Sequence, residues 1–195
     1  MKFNKETIST LGLIKLASGT ITDPVEFLDL ALPIGYTAFS LSLEDIQFSI
    51  TAENIALAFS VDDGDTFPAD TTNYDTYITR FTNFPAASDS YDSTTYSTTD
   101  WFSNSSVANR LSASIWPGNN ATVPSYFFWS SSGDSFGNPQ ITTGICILNP
   151  QATVPPVISR ANVLRLLPHG NGDTDPPTSG KTMTFRYFLW GVPTP

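Results

Sequence analysis

Three carboxylates, Asp62, Asp63 and Asp65, crowd around Gly64 in the run Ser60-Val61-Asp62-Asp63-Gly64-Asp65-Thr66-Phe67. Oxygen ligands this closely spaced suit a hard cation. A calcium loop of the helix-loop-helix type, however, spreads its ligands over about 12 residues and closes on a bidentate Glu, and no such Glu follows here. The same residues suit a tight turn better. Asp62 can bond backbone N–H groups across the turn, Gly64 can adopt φ > 0, and Phe67 can pack back on the core. The run is expected to be a structural hairpin joining strands 54–61 and 66–68, built on Asp62, Gly64, Thr66 and Phe67, with no metal.

Nucleophilic chemistry has little to work with. His169 is the single histidine, so any Ser-His-Asp or Cys-His triad must use it. It lies in a Pro-Gly-Asn stretch, and no Gly-x-Ser-x-Gly elbow accompanies it. His169 with Asp173 and Asp175 makes a poor metal set in donor number and scaffold. Cys146 is the single cysteine, inside Ile145-Cys146-Ile147-Leu148. It reads as a small buried core residue, since a reactive thiolate needs an electropositive setting. Glu44, Asp45 and Glu53 read as strand-end acids rather than a glycosidase pair. The expectation is a protein that is not an enzyme and needs no cofactor.

The aromatics are the remaining chemistry. Tyr91, Tyr96 and Trp101 lie in or beside the polar tract 83–100, and Tyr126, Phe127, Phe128 and Trp129 form one continuous run. On a strand, two of those four must face away from the core. Tyr, Ser, Asp and Asn on loops form an adaptable contact surface, and exposed Trp and Tyr stack on sugar faces. Tyr91, Tyr96, Trp101, Tyr126 and Trp129 are therefore the candidate binding residues.

The elements that position these side chains are strands. Phe39, Leu41 and Leu43 alternate with Ser40, Ser42 and Glu44, and Ile55, Leu57, Phe59 and Val61 with Ala56, Ala58 and Ser60. Leu111, Ala113 and Ile115 alternate with Arg110, Ser112 and Ser114, and Met183, Phe185, Tyr187 and Leu189 with Thr182, Thr184, Arg186 and Phe188. A period of two marks a strand with one face inward. Further strands are expected at 11–17, 25–30, 74–81, 123–130, 140–148 and 161–167. Turn formers separate them at 62–65, 117–120, 131–134 and 155–156, and longer loops are expected at 83–100 and 168–181. No stretch carries a helical apolar period with caps. The expected fold is all-β: an antiparallel two-sheet sandwich or jelly roll of about ten strands. Residues 1–24 supply an N-terminal attachment arm with the first strand, and residues 25–195 the sandwich domain.

Composition narrows the partners. Of 195 residues, 14% are charged, and the net charge is −9. The nine Lys and Arg residues are scattered, which disfavours nucleic acid and anionic membrane surfaces. Glu6 and Lys15 interrupt the first apolar stretch, so no secretory signal is expected, nor any membrane insertion.

Segment order carries a family resemblance. LGLIKLASGTIT (11–22) leads to EFLDLAL (26–32), YTAFSLSLEDI (36–46), NIALAFSVDDGDTF (54–67), NYDTYITRF (73–81) and finally MTFRYFLWGV (183–192). This layout resembles virion proteins of similar length encoded by bacteriophages and prophages. Asp65 stands where that group has a second glycine in the turn, Ala58 where arginine is common, and Trp190 where tyrosine is common. The resemblance implies a virion component at the tail tip, tail fibre or head surface, made in the host cytoplasm and not secreted. It implies other virion proteins as partners, a homo-oligomer, contact with the host surface, and no catalytic residues. A module binding host-surface glycan is the alternative.

Overall fold

In the computed structural model the described residues are 12–49, 53–65, 67, 74–82, 97–102, 109–118, 124–135, 138–148, 160–170 and 181–194. They form eleven strands: β1 (Ile14–Val25), β2 (Leu28–Ala31), β3 (Tyr36–Phe48), β4 (Glu53–Ser60), β5 (Tyr74–Thr82), β6 (Ser97–Phe102), β7 (Arg110–Trp116), β8 (Ser125–Ser135), β9 (Asn138–Leu148), β10 (Val163–Gly170) and β11 (Met183–Pro193). No helix occurs among the described residues. For β5 and β6 only the backbone is described.

All pairings are antiparallel. One sheet runs β1-β11-β3-β7-β8-β9-β5 and the other β2-β10-β4-β6. The pairs β1–β11, β2–β10, β3–β7 and β4–β6 form a ribbon whose successive segments alternate between the two sheets. That wrapped ribbon is a jelly roll. Strands β8, β9 and β5 extend its larger sheet beyond β7.

The alternation read from sequence is what closes the sandwich. Phe39, Leu41, Leu43, Leu111, Ala113, Ile115, Phe127, Trp129, Cys146, Phe185 and Leu189 of the larger sheet share one buried cluster with Leu30, Ile55, Leu57, Phe59, Leu164 and Leu166 of the smaller. Burying a side chain of this kind contributes about 1.5–3 kcal/mol. In β3 the phase is kept by a bulge. Asp45 takes φ 54, the register against β11 shifts, and Ile46 and Phe48 then continue the buried face that Leu43 left.

Several element boundaries differ from the sequence expectation. The 62–65 turn is not a hairpin to a strand at 66–68: β4 pairs with β10 and β6, and Phe67 lies outside any strand. The Ser131–Asp134 stretch is no turn. The β8–β9 ladder runs through it to Ser135 opposite Asn138, because its odd-numbered Ser131 is buried while Ser130 and Ser132 face solvent. β10 runs through Pro168, His169 and Gly170, so the expected 168–181 loop starts later. The strand at 97–102 takes up the end of the 83–100 tract. β1 passes through Asp23-Pro24, which an edge strand tolerates. The first strand of the 1–24 segment is thus an edge of the sandwich paired with β11, and residues 1–11 lie outside the described set.

Candidate functional site

The outward face of β7, β8 and β9 carries a cluster of aromatic and branched aliphatic side chains, and Phe188 stacks on Trp190 on β11 of the same sheet. On β7 the polar phase Arg110, Ser112, Ser114 ends on Trp116, which is 46% exposed. Trp116 lies opposite Tyr126 of β8, and Tyr126 opposite Ile147 of β9. In the next row Ser114 faces Phe128 and Phe128 faces Ile145. Phe128 is 51% exposed and Ile141 49%, while Tyr126, Ile145 and Ile147 are partly covered. Cross-strand neighbours of this kind sit about 4.5–5.5 Å apart at Cβ, so the side chains form one continuous surface. Beside them Ser112 pairs Ser130, and Ser130 pairs Thr143, a hydroxyl strip along the apolar rows.

The sequence-predicted binding residues fare differently. Tyr126 is on this outward face. Trp129 is not: it is 1% exposed on the inner face, its indole over Gly144 so closely that a Cβ there would lie 2.5 Å from it. The correction follows from parity, since Phe127 and Trp129 share the inward phase. Trp101 lies on β6, its side chain outside the description, and Tyr91 and Tyr96 are outside the described residues. Of the five, the two whose side chains are described, Tyr126 and Trp129, lie on opposite faces of β8. Trp116, Ile145 and Ile147 were missed. Their signal was available: Trp116 is in phase with the exposed serines, and Ile145 and Ile147 are out of phase with Cys146 and Leu148.

The acidic turn is built differently from expectation. Gly64 has φ 91, as its position requires. The organising group is Ser60, whose Oγ accepts the N–H of Gly64 at 3.0 Å and of Asp62 at 3.3 Å and donates to the Asp62 carboxylate at 2.6 Å. The Asp62 carbonyl accepts the Asp65 N–H at 3.2 Å. Asp63, at φ 60, is held by Asn162, whose Oδ1 accepts its N–H and whose Nδ2 donates to its carboxylate at 2.9 Å. The turn is thereby fixed to the chain entering β10. Thr66 lies outside the described residues. Phe67 packs on Ala56, Ala58 and Leu167, a small second cluster on the outer side of β4 and β10, rather than on the main core. There Arg165 lies 3.9 Å from the Phe67 ring centre and 4.2 Å from that of Phe27, and forms a two-pronged ion pair with Asp29.

Other groups singled out from sequence have structural surroundings. Cys146 is buried in the main core. Glu44 and Asp45 both reach Arg186, at 3.1 and 2.7 Å. Among the described residues no group of three or more His, Cys, Asp or Glu side chains is placed to hold a metal ion. Arg160 donates to the carbonyls of Pro33 and Tyr36 and lies over the Phe39 ring; burial pulls its guanidinium below the usual arginine value.

No protein-family model matches the chain, and no curated protein does. Among solved structures it is similar to the botulinum neurotoxin serotype C1 binding domain, at 15% identity over 87% of this chain and 38% of that one, with a TM-score of 0.23. The chain spans well under half of that structure. At so low a score the fold argument rests on the strand order itself.

Proposed function

We propose that this protein is a non-enzymatic bacteriophage virion component, displayed on the tail or the head surface, where it serves assembly and contact with the host. The observation that carries this reading is the strand order: an antiparallel ribbon wrapped into a jelly roll, the architecture used by viral capsid and lectin domains. The segment order along the chain adds to it. So does an outward face of the larger sheet that carries apolar and hydroxyl groups suited to contact rather than to proton transfer. The protein is made in the host cytoplasm and joins the particle there, and the N-terminal segment 1–24, with Lys2, Lys5 and Lys15, supplies the attachment arm.

The test is its presence in purified particles. An antibody raised against the chain should label virions at a fixed position in electron micrographs. A variant lacking residues 1–10 should stay soluble and folded but be missing from particles. Virions without the protein would refute the role, and normal incorporation of the truncation would refute the arm.

A second reading, a host-glycan module, is favoured by the exposed Trp116 and Phe128 beside Ser112, Ser114 and Ser130. A glycan array probed with the purified chain decides it, with Trp116→Ala expected to abolish any signal that comes from this face.

A further inference from the structure

The stacked pair on β11 and the aromatics on β8 face outward from the same sheet, with two strands between them. Phe188 and Trp190 alternate with the buried Leu189 and Gly191. Their ring centres are 5.7 Å apart and their planes 19° from parallel. Lys15 comes from β1, on the other side of β11, to 5.6 Å from the centre of the Phe188 ring. The pair is thereby braced on one flank.

The register joins the two aromatic groups through serines. Trp190 lies opposite Ser40 of β3, Ser40 opposite Ser114 of β7, and Ser114 opposite Phe128 of β8. In the adjacent row Phe188 lies opposite Ser42, Ser42 opposite Ser112, and Ser112 opposite Ser130. Neighbouring strands are about 4.8 Å apart, so Trp190 and Phe128 stand about 14 Å apart at the backbone. A serine side chain is far shorter than an aromatic ring. The rows therefore form a trough, floored by Ser40, Ser42, Ser112 and Ser114, with Phe188 and Trp190 along one side and Tyr126 and Phe128 along the other. From β11 to β9 neither row holds a charged residue.

This chemistry selects an occupant. Each hydroxyl both donates and accepts hydrogen bonds, so the ligand must do both across the floor. An apolar protein surface laid there would bury hydroxyls without partners, which is unfavourable. An extended peptide gains its main-chain bonds at a sheet edge, not on a sheet face. Nucleic acid needs clustered cations, and the floor has none. A sugar meets both demands: its hydroxyls exchange hydrogen bonds with serines, and its C–H faces pack on aromatic rings. The uncharged floor suits an uncharged sugar, and the distance between the sides calls for more than one sugar ring.

We infer that this trough binds an uncharged oligosaccharide, with Trp190 and Phe128 against sugar rings and the four serines bonded to sugar hydroxyls. The inference rests on the host-glycan reading and adds to it the site and the class of sugar.

An array of neutral and acidic oligosaccharides, probed with the full chain, should light up with neutral ones. The strongest neutral binder, titrated by calorimetry, should lose about tenfold or more in affinity with Trp190→Ala and, independently, with Ser114→Arg. Glu26→Arg, exposed in the β1–β2 turn, should bind as the wild type does. Ser114→Arg fills the floor without removing an apolar group and decides alone if Trp190→Ala fails to fold. An array with no signal refutes the glycan reading and the trough with it. Neutral binding that keeps wild-type affinity in both variants overturns the trough and leaves the glycan reading standing. Binding confined to acidic sugars overturns the uncharged class.

Discussion

Phe127 and Phe128 are neighbours of identical chemistry, yet one is 0% exposed and the other 51%. The inner face of β8, with Phe127 and Trp129, meets the smaller sheet across the core. The outer face, with Tyr126 and Phe128, meets no other described layer. Residue type therefore says little here about burial; parity on the strand and what lies opposite decide it. The inner face is held by shape, the indole of Trp129 lying over Gly144 with no room for a Cβ. Among the described residues, the outer face is held only by cross-strand neighbours.

The largest expected effect tests the inner side. Trp129→Ala should destabilise the fold by about 3–5 kcal/mol, read as a lower denaturant midpoint at unchanged slope. Trp129→Phe should cost much less, because the buried Trp129 Nε1–H has no acceptor among the described residues and the substitution removes that donor. A cost for Trp129→Ala equal to that of an outer-face substitution would erase the distinction between the faces. Intermediate effects belong to the Ser60 turn. Gly64→Val should cost about 1–3 kcal/mol through backbone strain alone, since a Cβ there meets only ordinary contacts at 3.9 Å. Chelator should leave the melting temperature of the wild type unchanged; a drop restored by calcium would make Asp62, Asp63 and Asp65 ligands. The smallest effect is on the outer side. Phe128→Ser should shift stability by no more than about 0.5 kcal/mol, read as a nearly unchanged denaturant midpoint. A large loss of stability would mean that Phe128 is core after all.

The sequence made the fold legible because one face of most strands is apolar and the other polar, as in Phe39-Ser40-Leu41-Ser42-Leu43. It concealed the site where that contrast fails. In Ile145-Cys146-Ile147-Leu148 both phases are apolar, and a run of that kind reads as core although half of it faces outward. Turn residues misled for a related reason. Ser131-Ser132-Gly133-Asp134 has the composition of a turn, but a long ladder accepts such residues when their backbone groups are paired. The acidic turn was recognised through Gly64, whereas its organiser, Ser60, looked like one more polar position on a strand. Asn162 could not be found from local sequence at all, because it comes to Asp63 from a distant part of the chain.

The place of β11 has a kinetic consequence. It lies between β1 and β3, which are near neighbours in sequence but never pair with each other. As the ribosome delivers the chain, β1 and one edge of β3 have no partner in this sheet until residues 183–193 emerge. Each must then be joined across nearly the whole chain, at a high entropic cost of closure. Folding of the larger sheet is therefore a late event relative to synthesis, and unpaired apolar strands are exposed meanwhile. Expression at low temperature or with chaperones should raise the soluble yield of the chain more than any surface substitution would.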